Sequence, residues 1–126
     1  MRLQAALSEG ADLTGASLFS AQMQRARLGG ATLDGARIAA NLTDADLRGA
    51  SFDGADMSAD MKNQSMGLMR TVLRSADADG ASFRGADLRG AEFPGTDVFR
   101  VDFRGARLDP EQRELARRSG AIVDDD

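Results

Sequence analysis

The chain contains no cysteine, no histidine, no tryptophan and no tyrosine, and only two prolines. Without cysteine there is no disulfide, no thiolate metal site and no cysteine nucleophile. Without histidine the commonest general base and the commonest metal ligand are both missing. Any catalysis would rest on carboxylates, and no Walker-type Gly-Lys-Ser/Thr is present to hold a phosphate. Six phenylalanines are the whole aromatic content of 126 residues, so a broad core of large rings cannot be filled. No apolar run approaches the ~20 residues that span a bilayer, and the N-terminus lacks the apolar stretch of a secretory signal. A soluble cytoplasmic protein is the expectation. Charge of one sign is also lacking. The net charge is −4, three of it in Asp124, Asp125 and Asp126, and residues 1–109 carry 13 basic against 15 acidic side chains. Direct nucleic-acid binding does not follow from so balanced a body.

What the chain has in quantity is repetition. Residues 81–95 read ASFRG, ADLRG, AEFPG. Alanine comes first, a short polar residue second, Leu or Phe third, a charged or turn residue fourth and glycine fifth. With the third position taken as the centre of the unit, Leu13, Leu18, Met23, Leu28, Leu33 and Ile38 are centres, each two residues after an alanine. One residue is lost near Ala39, and Leu42, Leu47, Phe52 and Met57 continue the series. Phe83, Leu88, Phe93, Val98, Phe103 and Leu108 close it. Counting backwards through the irregular stretch at 60–75 puts Ala78, Leu73, Leu68 and Asn63 at centres, with one extra residue near Ala59 restoring the phase.

This unit resembles that of the pentapeptide-repeat family, whose motif is close to Ala-Asp/Asn-Leu-x-x, and the resemblance covers residues 1–110 or so. It implies an all-β fold, a right-handed quadrilateral β-helix in which four units make one square coil. Every fourth centre then stacks on one face. The expected columns are Ser8, Leu28, Leu47, Leu68, Leu88, Leu108; then Leu13, Leu33, Phe52, Leu73, Phe93; then Leu18, Ile38, Met57, Ala78, Val98; and last Leu3, Met23, Leu42, Asn63, Phe83, Phe103. The leucine column runs through 60–75, which reads as a degenerate coil rather than an excursion. Alanine is small because the wall closes on itself there, and glycine suits a corner with unusual backbone angles.

After Leu108 the pattern changes. Asp109-Pro110-Glu111-Gln112 carries the start signals of a helix: an aspartate cap, proline in the first turn and glutamine three residues after the cap. Arg117 and Arg118 suit its C-terminal end, and Gly120 is a stop. The expected organisation is a solenoid of about five coils over 1–109, a capping helix over 110–119 and a tail over 120–126. No such cap precedes Leu3, so either further repeats lie upstream or that end packs on something.

Function is sought where the units depart from the pattern. Met61 and Met66 stand in the alanine slot, and Met69 and Val72 face outward beside Lys62, Arg70 and Arg74. Such a coil is an adaptable protein contact or simply a worn repeat. Phe19 and Phe99 each follow a centre of one column and point outward, as a partner or homodimer contact, with Phe99 also placed to lie under the C-terminal helix. The acidic positions Asp56, Asp77 and Asp97 are expected on one face, with Asp12 and Glu92 on its neighbour. Some members of the family that the repeat resembles mimic DNA and bind DNA gyrase, and an acidic column is what that implies here. The local reading is that aspartate at this position caps nearby backbone amides. No cofactor is expected. The leading expectation is a non-catalytic bacterial scaffold presenting a rigid surface to a protein partner, with the gyrase inhibitor or quinolone-protection protein as the alternative.

Overall fold

Alternating small and large apolar residues every five positions leave a chain no choice but to turn repeatedly around a narrow interior. The computed structural model describes residues 10–58, 71–92 and 95–124, and the side chains of all of these except 19–21. They form a right-handed quadrilateral β-helix closed by one helix. Ala26, Ala31, Ala36, Ala45, Ala50 and Ala55 are buried, as are the centres Met23, Leu28, Leu33, Ile38, Leu42, Leu47, Phe52 and Met57. Between most units the chain turns with a hydrogen bond from the alanine N–H back to the preceding centre, as from Ala31 to Leu28 at 2.9 Å. The third residue of each such turn has positive φ, the requirement of a type II turn. Glycine fills it eleven times among the described residues and Arg25, Asp44, Ser75 and Arg100 fill it otherwise, while Gly120 has the same sign of φ at the end of the helix.

Stacking defines four walls, numbered here by their centres. The first wall holds Leu13, Leu33, Phe52, Phe83 and Phe103; the second Leu18, Ile38, Met57, Leu88 and Leu108. The third holds Met23, Leu42 and Leu73, and the fourth Leu28, Leu47, Ala78 and Val98. The residue before each centre makes the parallel bridges: Asp12 to Thr32 to Ser51 to Ser82 to Asp102 to Ile122 on the first wall, for example. Six such rungs at about 4.8 Å give a rod roughly 24 Å long. Among the described residues only the second wall's corner is extended enough to form true strands, β1 (Ser17–Gln22) and β2 (Arg37–Asn41), which pair in parallel. The residue lost near Ala39 appears there as a bulge: Phe19 pairs with Ala39 but Gln22 with Asn41.

The larger irregularity overturns the expected columns. Rungs lie 19 or 20 residues apart everywhere except across 59–70, where Asn41 meets Val72, Asp46 meets Asp77, Ser51 meets Ser82 and Asp56 meets Asp87, each 31 residues on. The stack therefore skips eleven residues more than a four-unit coil contains. Leu47 lies under Ala78, not Leu68, and Leu88 and Leu108 stand above Met57, so the expected ladder Leu28, Leu47, Leu68, Leu88, Leu108 is two ladders on different walls. Leu68 itself lies outside the described residues. The physical reason is that all four walls accept the same five-residue unit, so sequence phase alone cannot say on which wall a run resumes. The correction unites three rings. Phe52 and Phe83 stack with centroids 4.6 Å apart and planes 7° from parallel, and Phe83 meets Phe103 at 5.5 Å.

The helix α1 (Pro110–Arg118) starts at Asp109, whose backbone is extended at φ −65 and ψ 154. Its N–H donates to Gln112 Oε1 at 2.8 Å. Ala116 is buried, and Leu115 packs on the core from the half-buried shell. Residues 120–124, expected as tail, instead lay a last rung on the first wall. Ile122 bridges Asp102, and Asp124 Oδ2 accepts the Gly105 N–H at 2.8 Å. Nine helical residues and a turn thus take the room of two units, and the chain returns in phase to cover Phe103.

Candidate interaction surface

The two residues flanking each centre point outward, and their chemistry is set first by the backbone. In the units ADLRG and VDFRG the aspartate Oδ1 accepts the N–H of the residue two positions on: Arg48 to Asp46 at 3.1 Å, Arg89 to Asp87 at 3.2 Å, Arg104 to Asp102 at 3.0 Å. The same arginine then closes a two-pronged pair through Nε and Nη2, as Arg89 does on Asp87 at 2.9 and 2.7 Å. Asp12 accepts both the N–H and the hydroxyl of Thr14 in the same manner. Where serine replaces the aspartate on the first wall, the layer below supplies the acceptor. Asp34 takes the Ser51 hydroxyl and the Asp53 N–H, and Asp53 takes the Ser82 hydroxyl and the Arg84 N–H. Backbone donors that the ladder leaves over are satisfied in both cases, so the local amide-capping role of these aspartates holds.

The same contacts set the electrostatics. Hydrogen bonds from their arginines hold Asp46, Asp87 and Asp102 below the ordinary carboxylate value, and those from Thr14 do so for Asp12. Arg89, Arg100 and Arg104 are raised by Asp87, Asp79 and Asp102 respectively. Further pairs cross between layers: Arg37 with Asp56 at 3.9 Å, Arg48 with Asp77 at 3.8 Å and Arg74 with Glu92 at 3.7 Å.

The expected acidic face is dispersed by the register skip. Asp77 and Asp97 do stack, above Asp46 and Arg27 on the fourth wall, but Asp56 belongs to the second wall between Arg37 and Asp87. Asp12 begins the first wall, and Glu92 stands above Val72 on the third. Five acids are thus shared among four walls, most within reach of an arginine. Among the described residues no group of carboxylates is placed to hold a metal ion, and no helix is long and apolar enough to cross a membrane.

Of the candidate contact residues, Met61, Met66, Met69 and Arg70 lie outside the described residues. Val72 is half-buried between Asn41 and Glu92, with Arg74 exposed on the same wall. Phe19 and Phe99 do not share a column. Phe19 follows a second-wall centre, in β1, and its side chain is outside the description; Phe99 follows a fourth-wall centre. Phe99 is 51% exposed. Its ring lies against Gly120, where a Cβ would come within 2.8 Å, and the Arg100 guanidinium sits 5.3 Å from its centroid. It packs on the turn that follows the helix, not beneath the helix. One side chain lies deeper than its helix-start signal implies, and one residue of the expected tail carries a rung. Gln112 is buried in the cap and donates through Nε2 to the Leu88 and Ala91 carbonyls at 2.7 and 3.0 Å; its depth was legible only as the cap's glutamine signal. Ile122 is exposed on the last rung, and its place in an assumed tail hid it.

Known proteins with this architecture agree with the geometry. The family described as pentapeptide repeats matches in eight copies over residues 2–35, 38–59 and 68–105. A pentapeptide repeat protein from the Arabidopsis thaliana thylakoid lumen is 27% identical, with a TM-score of 0.68 over 93% of this chain and 78% of that one. A second, from Nostoc PCC 7120, is 25% identical, with a TM-score of 0.71 over 90% of this chain and 84% of that one. A third, Rfr23 from the cyanobacterium Cyanothece 51142, shares the fold at 22% identity and a TM-score of 0.60, over 92% of this chain and 63% of that one. No curated protein matches the chain. Eight matched copies over three quarters of the residues, on a stack of square coils, make this chain a member of the pentapeptide repeat family.

Proposed function

We propose that the protein is a non-catalytic scaffold of the bacterial cytoplasm, a rigid rod that presents residues 61–74 to a protein partner. One observation carries the reading: the coil closes without residues 59–70. By register Ser58 stands above Ala39 and Thr71 above Ala40, which are consecutive residues. In the layer above, only Gly90 separates Arg89 from Ala91. Thr71 is buried in an alanine slot and its hydroxyl donates to the Ile38 carbonyl at 2.8 Å, which anchors the point of return. A stretch that the wall does not need, containing Met61, Met66, Met69 and Arg70 and followed by Val72 and Arg74, is free to serve recognition. The arginine pairing of the acids supports a patterned protein contact over imitation of a polyanion such as DNA.

The test replaces residues 59–70 with a single glycine. The expected variant keeps its melting temperature within a few degrees and loses the partners that the intact chain retains in a pull-down. Met69→Asp and Val72→Asp are expected to weaken the same partners with residues 59–70 in place. Full retention by all three variants would remove this surface from consideration. Gyrase is addressed separately, in a supercoiling assay with the purified enzyme: the scaffold reading expects neither inhibition nor protection from a quinolone at micromolar protein.

A further inference from the structure

The last rung has one bonded side and one bare side. Ile122 donates its N–H to the Val101 carbonyl and accepts the Phe103 N–H, both at 2.8 Å, so both of its backbone groups face the layer below. Backbone alternation turns the Ala121 carbonyl and the Val123 N–H the other way. Among the described residues neither of these two groups has a hydrogen-bond partner. Ala121 and Val123 are only half-buried against the core, alongside Leu108 and Leu115. Ile122 is 47% exposed. An unpaired parallel edge bordered by apolar residues is a template for another strand.

We infer that a second copy of this chain occupies the edge, paired antiparallel about a two-fold axis at Ile122. The bare groups are self-complementary in that arrangement alone: the Ala121 carbonyl of one copy accepts the Val123 N–H of the other, and the reverse. These are the two hydrogen bonds that flank a non-hydrogen-bonded antiparallel pair, whose central Cα atoms stand about 4.5 Å apart. That central pair is Ile122 on Ile122, closing the most exposed aliphatic side chain of the described residues over its own copy. Each copy offers the same patch, which is the condition for a closed dimer rather than an open filament. This surface is separate from the one proposed at 61–74.

The full chain, Ile122→Lys, Ile122→Glu and an equimolar mixture of the two variants are compared by size-exclusion chromatography with light scattering at high-micromolar protein, with circular dichroism to show that each is folded. The wild type is expected at twice 13.3 kDa, each variant alone at the monomer mass, and the mixture again as a dimer, because the isologous register sets 122 against 122. A monomeric wild type overturns the inference, as does a dimer that survives both charged variants. Variants that dissociate but are not restored by mixing overturn the antiparallel register at Ile122.

Discussion

Gln112 does with a side chain what a further coil would do with its backbone. The rod's last full layer leaves carbonyls facing its end, and the buried amide of Gln112 reaches two of them, on Leu88 and Ala91. Its oxygen accepts the N–H that begins the helix, so all of its polar atoms are used. Gln112→Ala leaves buried acceptors unpaired, at a cost of about 1–3 kcal/mol, measurable by urea unfolding. Gln112→Glu is expected to cost more, because a carboxylate cannot donate to either carbonyl. At the surface the residue-scale effect is one of pH. Asp46, Asp87 and Asp102 have folded pKa values below the ordinary one. A depressed carboxylate stabilises the fold fully above the unfolded value, about pH 4, and loses that contribution as pH falls through the folded value. Melting temperature is therefore expected to drop on acidification below about pH 4, and Asp87→Asn to flatten that drop while keeping an acceptor for the Arg89 N–H.

A wall draws its strength from contacts between layers, and the first wall is the clearest case. Phe83 lies between two other rings, so Phe83→Ala removes contacts in both directions, with an expected loss of about 3–5 kcal/mol in chemical unfolding. Phe83→Leu should lose less, since leucine serves at Leu33 in the same column. The turns offer the opposite change. Arg25 holds φ 62, a conformation costing an ordinary residue about 1–2 kcal/mol, against an unfolded-state entropy gain for glycine of about 0.4–1 kcal/mol. Arg25→Gly is expected to raise the melting temperature slightly; a fall would show that the turn is held by the arginine side chain. Much of this was legible in the sequence. Period five named the inward residues, and the columns below Met57 and above Leu73 are internally as expected, because coils of twenty residues need only counting. The join was not legible. Leu68 fell in phase with Leu47 and Leu88, and a leucine in phase carries no mark of which wall it stands on. The available warning lay in the alanine slot, where Met61 and Met66 are too long for the place at which a wall closes. The last rung was hidden for a different reason: its pairing depends on where the helix releases the chain, and that is a matter of three-dimensional length.

As a whole the molecule is a stack whose layers are nearly interchangeable, so its ends and its one irregular corner decide its individuality. The cap protects the end of the stack. A chain ending at Leu108 would bare the carbonyls that Gln112 serves and the upper side of Phe103, and is expected to melt lower and to associate into large particles under light scattering. A monomer with unchanged melting would show that the helix is dispensable. The corner after the second wall is where both changes of length occur. It runs extended through β1 and β2, with the bulge opposite Ala40, and in the next layer it is left at Ser58 and rejoined at Thr71; only at Leu88 does it tighten into the glycine turn, with Ala91 donating to Leu88 at 3.0 Å. One residue fewer or eleven more leave the opposite walls in register. That corner is a ready-made splice point. Foreign peptides of widely different length, entered between Ser58 and Thr71, should ride on an otherwise unaltered rod, which makes the fold a natural display handle whatever its own partner is.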